Sequence, residues 1–183
     1  MKNKGIIIVL AVLLIVSLFF NAVLLYRLYR ETRGESFNPE YALQIEDMAP
    51  DFSVELLTGE TFTLSEHRGT VVVLDFWATW CGPCVAKMPT VQTLSEQFGD
   101  SVKFVGINVG ESRGRVQEFI NERGFTFPIG VDEDNYIHRN LYPSPGVPYM
   151  VIINGDGVIT DTFLGGGEGL IHRYEAAILE ALG

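Results

Sequence analysis

Residues 71–84 read "VVVLDFWATWCGPC": a β-branched apolar run, a short turn, then two cysteines three positions apart. The run 70–78 has the composition of a central strand buried on both faces. Gly82 to Phe98 continues with helical spacing, Val85, Met88, Val91, Leu94 and Phe98 falling on one side and Pro89 marking a kink. The cysteines therefore sit just past the C-terminal end of a strand and at the start of a helix, where catalytic groups of α/β folds gather. A helix N-terminus presents unpaired N–H groups and the positive end of a dipole, which stabilise a thiolate at Cys81. Gly82 and Pro83 suit a first helical turn, where proline's missing N–H costs nothing. Cys81 is expected to attack a disulfide and Cys84, deeper in the turn, to resolve the mixed disulfide.

Rival uses of the pair fit less well. A c-type haem anchor needs His directly after the second cysteine, and position 85 is Val. A tetrahedral zinc site needs two more ligands, but there is no third cysteine, and His67, His138 and His172 are scattered and read as surface groups. No metal and no cofactor is expected. A structural staple is also a poor reading, because 183 residues suffice for a domain with its own core.

The rest of the chain alternates strand and helix patterns. Residues 51–64 read as two short strands around Thr58-Gly59-Glu60, 102–109 as a second buried strand, and 113–123 as a helix stopped by Gly124. Residues 147–154 and 158–164 read as strands joined by Gly155-Asp156-Gly157, and 168–182 as a closing amphipathic helix. This is an α/β layout with a mixed sheet. Ahead of it, residues 6–25 carry no charge and have the length of a bilayer-spanning helix. They end in Tyr26-Arg27-Leu28-Tyr29-Arg30, an interfacial belt and not a cleavage site. The expected organisation is a membrane anchor over 1–30, a polar tether over 31–44 and a domain over 45–183. Net charge is −10, with +3 in residues 1–35 and hence −13 in the body, which argues against nucleic acid as a partner. Lys2 and Lys4 before the span face Arg27, Arg30 and Arg33 after it, so charge counting alone leans toward a cytoplasmic domain.

These motifs carry a family resemblance. "VVVLDFWATWCGPC" (71–84) resembles the active-site strand of thioredoxins. The longer "MAPDFSVELLTGETFTLSEHRGTVVVLDFWATWCGPC" (48–84), with "INVGES" (107–112), "FTFPIGVDED" (125–134) and "SPGVPYMVIINGDG" (144–157), is similar to the membrane-anchored, extracytoplasmic thioredoxin-like proteins of the TlpA/ResA type. The resemblance implies a thioredoxin fold, with central sheet, flanking helices and an N-terminal β-hairpin, and a cis peptide at Pro148 opposite the cysteines. It implies a redox-active Cys81–Cys84 disulfide and a substrate surface of Trp80, Gly82, Pro83, Val147 and Pro148. It also implies a catalytic Asp75, six residues before Cys81, that helps deprotonate Cys84; Val71 to Leu74 on one side and Phe76-Trp77 on the other favour its burial over a strand-edge place facing water, and burial raises its pKa. Glu111 either lines the site or caps the following helix. Three positions depart from the ResA pattern: Lys87 stands where that group carries glutamate, Gly82 where many carry glutamate in a CEPC motif, and Asp75 where many carry asparagine.

The expectation is a monomeric, membrane-tethered thiol–disulfide oxidoreductase acting outside the cytoplasm. Its clients would be disulfide-bearing exported proteins, apocytochrome c among them, and a membrane carrier would supply electrons. Net oxidation of client thiols and a copper-relay or chaperone module are the alternatives.

Overall fold

The computed structural model describes residues 14–25, 43–167 and 170–183. The chain divides into two units, Met1–Asn38 and Pro39–Gly183. In the first, residues 14–25 form helix α1. Its Asn21 side chain donates to the Ser17 carbonyl one turn back at 3.0 Å, so this polar group is satisfied within the helix. The expected span over 6–25 begins outside the described residues, as does the expected tether up to residue 42. Among the described residues no helix is long and apolar enough to cross a membrane.

The second unit is built around β3 (Val71–Trp77), buried along its whole length. On one side β4 (Val102–Val109) and β5 (Ile129–Asp132) run parallel to it. On the other, β6 (Tyr149–Ile153) pairs antiparallel with β3, and β7 (Ile159–Leu164) antiparallel with β6. The strand order is β5-β4-β3-β6-β7, and the sheet is mixed, as read from the sequence. Crossovers β3–α2–β4 and β4–α3–β5 step in the same direction. The right-handed rule then puts α2 (Gly82–Phe98) and α3 (Arg113–Arg123) on one face. Helix α4 (Leu170–Leu182) lies beside α2, where Gln97 donates to Glu175 at 2.6 Å.

Alternation along β3 sorts its side chains between the two faces. Asp75 meets Lys87 of α2, and Trp77 meets Phe119 of α3 with ring centroids 5.6 Å apart. Phe76 points the other way, onto His138, Tyr142 and Tyr149. That second face is covered by the hairpin of β1 (Ser53–Glu55) and β2 (Thr61–Thr63), whose Val54 and Phe62 are buried. The hairpin also reaches the sheet edge: Leu56 bridges Gly130, and the Leu57 N–H donates to Ile129 O at 2.8 Å.

The structure corrects the sequence reading in four places. Strand β5 was not expected, because Pro128 and Gly130 break the strand pattern. Gly130 is there for packing: a Cβ would lie 2.7 Å from Val54 Cγ1. Strand β6 begins at Tyr149 and not at Val147, since the Val147–Pro148 bond is cis. Ile137–Leu141 forms a π-helical turn that no periodicity announced. Finally, His138 is buried, 8% exposed, and not a surface group. Residues 168 and 169, the expected start of the last helix, lie outside the described residues.

Candidate active site

Strand β3 delivers the chain to Ala78, and a tight turn follows in which the Cys81 N–H donates to Ala78 O at 3.2 Å. Cys81 is the N-cap of α2, with extended backbone (φ −87°, ψ 98°). Its Sγ accepts the Cys84 N–H at 3.2 Å, and its carbonyl accepts the Val85 N–H at 3.0 Å. The sulfur thus takes the place of the side-chain oxygen of an ordinary N-cap. Cys81 and Cys84 are joined in a disulfide with Cα atoms 5.2 Å apart. Cys84 is fully buried, while Cys81 is 5% exposed, so Cys81 is much less open than its place ahead of the helix suggested. Gly82 and Pro83 are exposed, and Trp80 stands out at 68% exposure.

The cis peptide Val147–Pro148 lies against this pair, with Val147 O 3.5 Å from Cys81 Sγ. In the disulfide that sulfur carries no proton, so the approach is a contact; the reduced thiol can donate across it. Sequence reasoning missed Gly166. A Cβ there would lie 3.1 Å from Pro83 O and 3.4 Å from Pro148 Cγ, and the neighbouring Gly165 N–H donates to Pro148 O at 2.8 Å. Gly165 and Gly166 therefore lie against both prolines, and a side chain at 166 would crowd them.

Asp75, 1% exposed, is the centre of a buried polar cluster on the helical face. Its Oδ1 accepts from Lys87 Nζ at 2.5 Å, its Oδ2 has no partner among the described residues, and Lys87 is itself 6% exposed. Lys87 Nζ also lies 5.8 Å from the ring centroid of Tyr174, whose buried hydroxyl has no partner either. Burial pushes the Asp75 carboxyl up from its ordinary value, and the Lys87 ammonium pulls against that without cancelling it. Burial and then the Asp75 charge push the Tyr174 phenol up to about 12. Lys87 follows Cys84 by three residues, so the ion pair lies one turn beneath the buried sulfur. A signal for it existed in the sequence. A carboxylate in an apolar strand needs a counter-charge, and Lys87 sits on the same apolar helix stripe as Cys84, Met88 and Val91.

Glu111 does not cap α3. It reaches across to the turn before Cys81, where Oε2 accepts the Thr79 N–H at 2.7 Å and Oε1 accepts the Thr79 hydroxyl at 2.6 Å. Asn108 and Arg115 donate to the same carboxylate, both at 2.9 Å. Burial pushes its pKa up, but these hydrogen bonds, Thr79's first, outweigh it and leave the group below the usual glutamate value. The cap of α3 comes instead from Glu133, which accepts the Arg113 N–H at 2.6 Å.

A strand-end dithiol beside a cis proline has close counterparts among known proteins. The redoxin family model matches residues 44–178. The chain belongs to the redoxin family. Thiol-disulfide oxidoreductase ResA of Geobacillus thermodenitrificans is 31% identical over 152 residues, 82% of this redoxin and 84% of that protein. Thioredoxin-like protein YneN of Bacillus subtilis is 35% identical over 129 residues, 69% and 75% of the two chains. A putative thiol:disulfide interchange protein DsbE from Chlorobium tepidum superimposes with a TM-score of 0.73 at 31% identity, covering 78% of this redoxin and 100% of that chain. The fold is thioredoxin-like, and the redoxin is a thiol–disulfide oxidoreductase. Among its described residues no group of three or more His, Cys, Asp or Glu is placed to hold a metal ion.

Proposed function

We propose that this redoxin reduces disulfides of exported proteins from a membrane tether, its catalytic domain lying outside the cytoplasm. The observation that carries the reading is the Cys81–Cys84 disulfide at the N-terminus of α2, with the Val147 carbonyl of a cis peptide 3.5 Å from Cys81 Sγ. In the reduced protein, the Cys81 thiolate attacks one sulfur of a client disulfide. That S–S bond breaks, a Cys81–client bond forms, and the other client sulfur leaves as a thiolate that takes up a proton. Cys84, deprotonated with help from the Asp75–Lys87 pair, then attacks Cys81 Sγ and releases the second client thiolate. Two electrons and two protons pass to the client, and the protein ends in the disulfide state seen here. An external donor, for which a membrane carrier is the proposed source, returns the dithiol.

The Cys84 N–H supports Cys81 as nucleophile, because it donates to the sulfur that must hold negative charge. The exposed strip of Trp80, Gly82 and Pro83 beside Val147 and Pro148 supports a protein client, since it offers a polypeptide a surface next to the disulfide. Apocytochrome c is one client of the required kind. The apolar stretch over 6–25 supports the tether, and the basic-start, acidic-body charge layout supports a signal-anchor.

Two experiments test the reading. Insulin disulfides should be reduced by the dithiol form, and a Cys81–Cys84 potential too oxidising to reduce a structural disulfide would reverse the proposed direction. In intact cells after mild reduction, a membrane-impermeant thiol reagent should modify Cys81. Labelling only after lysis would place the domain on the cytoplasmic side and remove exported proteins as clients.

A further inference from the structure

The segment between β5 and β6 carries polar groups that the exchange reaction as described does not use. His138 lies in the π-helical turn, its ring 5.5 Å from that of Phe76 on the face of β3 opposite Asp75. Its Nε2 lies 2.8 Å from Ser144 Oγ, and Ser144 Oγ lies 2.8 Å from Gly146 O. A carbonyl can only accept, so the single Ser144 hydroxyl proton is committed to Gly146. The Nε2 contact is then a hydrogen bond only if Nε2 carries the proton. That fixes the Nε2–H tautomer and leaves Nδ1 as a bare lone pair, buried and without a partner among the described residues. The next carbonyl after Gly146 is Val147 O, the one against Cys81 Sγ.

We propose that His138 is a positioning residue for client binding: through Ser144 its neutral imidazole fixes the Gly146–Val147 backbone against which a client chain must lie to bring its disulfide to Cys81. The inference rests on the proposed reduction of protein clients at this site.

The surroundings favour the neutral ring. The Asp132 carboxylate is spent on backbone amides, Oδ1 accepting the Ile137 N–H at 3.2 Å and Oδ2 the His138 N–H at 3.0 Å. Asp134 sits beside Asp132, which burial first of all pushes toward its protonated form. Arg139 adjoins the ring's own residue, and the rings of Phe76, Tyr142 and Tyr149 supply no charge. Burial, then Arg139, hold the His138 pKa below its ordinary value of 6.5. A proton added at Nδ1 would leave the Nε2–H donor in place but put a charge with no acceptor into this buried pocket, so the arrangement holds until pH falls through the folded value, which lies below 6.5.

The test is steady-state reduction of a disulfide-bonded peptide by the full-length protein in detergent, reading KM and kcat separately between pH 5 and 8. Ser144→Ala and His138→Ala should raise KM about tenfold at pH 7.5 and leave kcat within about twofold, the scale of one lost buried hydrogen bond. His138→Gln places an amide N–H where Nε2–H stood. It should restore most of the affinity that His138→Ala loses and should abolish the rise in wild-type KM below pH 6.5. An unchanged KM in Ser144→Ala, or a wild-type acid rise in His138→Gln, overturns the proposal. Nitrogen-15 NMR of wild-type protein gives a check that no folding defect can blur: His138 should show Nε2–H and bare Nδ1 at pH 7, and any other state overturns it. If wild-type protein itself fails to reduce the peptide, the reductase reading falls and this inference with it.

Discussion

The buried Asp75–Lys87 pair should be coupled strongly enough that each residue alone is a worse tenant than neither. Both side chains are almost fully enclosed, 2% and 5% exposed, and their charged atoms are 2.5 Å apart. At an effective dielectric of about 20 and a charge separation of about 4 Å, the attraction is about 4 kcal/mol. Removing one partner of such a pair costs about 3–5 kcal/mol, because the other is left charged in an apolar site. The two losses should be unequal. Asp75 already binds a proton more readily than an ordinary aspartate, so in Lys87→Met it becomes neutral and limits the damage to about 1–2 kcal/mol. In Asp75→Asn the lysine is stranded, and about 3 kcal/mol should be lost. With a urea dependence of about 2 kcal/mol/M, the Asp75→Asn midpoint should drop by about 1.5 M. The double variant, which buries no charge, should return to within about 1 kcal/mol of wild type. A group with a raised folded pKa contributes stability at low pH and loses it as pH rises through the folded value. The Lys87→Met deficit should therefore shrink at pH 5 and widen at pH 8. The assay is urea unfolding of the oxidised protein for all four sequences. Single losses that simply add in the double variant, within about 0.5 kcal/mol, would refute the coupling.

Other consequences are more local. Cys84→Ser should trap mixed disulfides with clients and Cys81→Ser should not; faster alkylation of Cys84 than of Cys81 in the reduced protein would reverse these roles. Asp75→Asn should also slow reduction of a disulfide substrate while the protein stays folded, and an unchanged rate at neutral and alkaline pH would remove Asp75 from the resolving step. Glu111→Gln should cost about 2 kcal/mol at pH 7, because an amide offers an N–H where Thr79 or Asn108 already presents one. Its lowered pKa makes the wild-type contribution present above 4.5 and lost as pH falls through the folded value, so the variant's unfolding curve should flatten on that acid side. Gly166→Ala should raise the KM for a peptide disulfide several-fold with little loss of stability, because the added methyl shifts the Pro83 carbonyl and the Pro148 ring by a few tenths of an ångström beside the disulfide; an unchanged KM would show that the shift does not reach the client surface.

What the sequence carried by itself was local in origin. The β-branched run ahead of Cys81, the Met88, Val91 and Leu94 stripe of α2 and the Asn154–Gly157 turn each follow from residues within a few positions of one another and formed where expected, whereas Val85 is only part-buried. The redox pair was legible for the same reason, since a three-residue spacing at a helix start needs no distant partner to bring two sulfurs together. Burial of Asp75 was legible too, from the apolar residues on both sides of it. Tertiary structure alone decided who answers whom across the chain. Lys87 looked like an unexplained departure until the fold set it against Asp75. Glu111 holds Thr79, 32 positions away, and Gly166 is small because two prolines from separate segments meet it. Strand β5 hides behind Pro128 and Gly130, since the residue at 130 answers to Val54 of the hairpin and not to the strand's own periodicity. His138 passed for a surface residue because nothing near it in sequence tells that the chain folds it onto Phe76. Periodicity records which face of an element is buried; it does not record which polar group waits on the other side, and at this site those partners hold the chemistry in place.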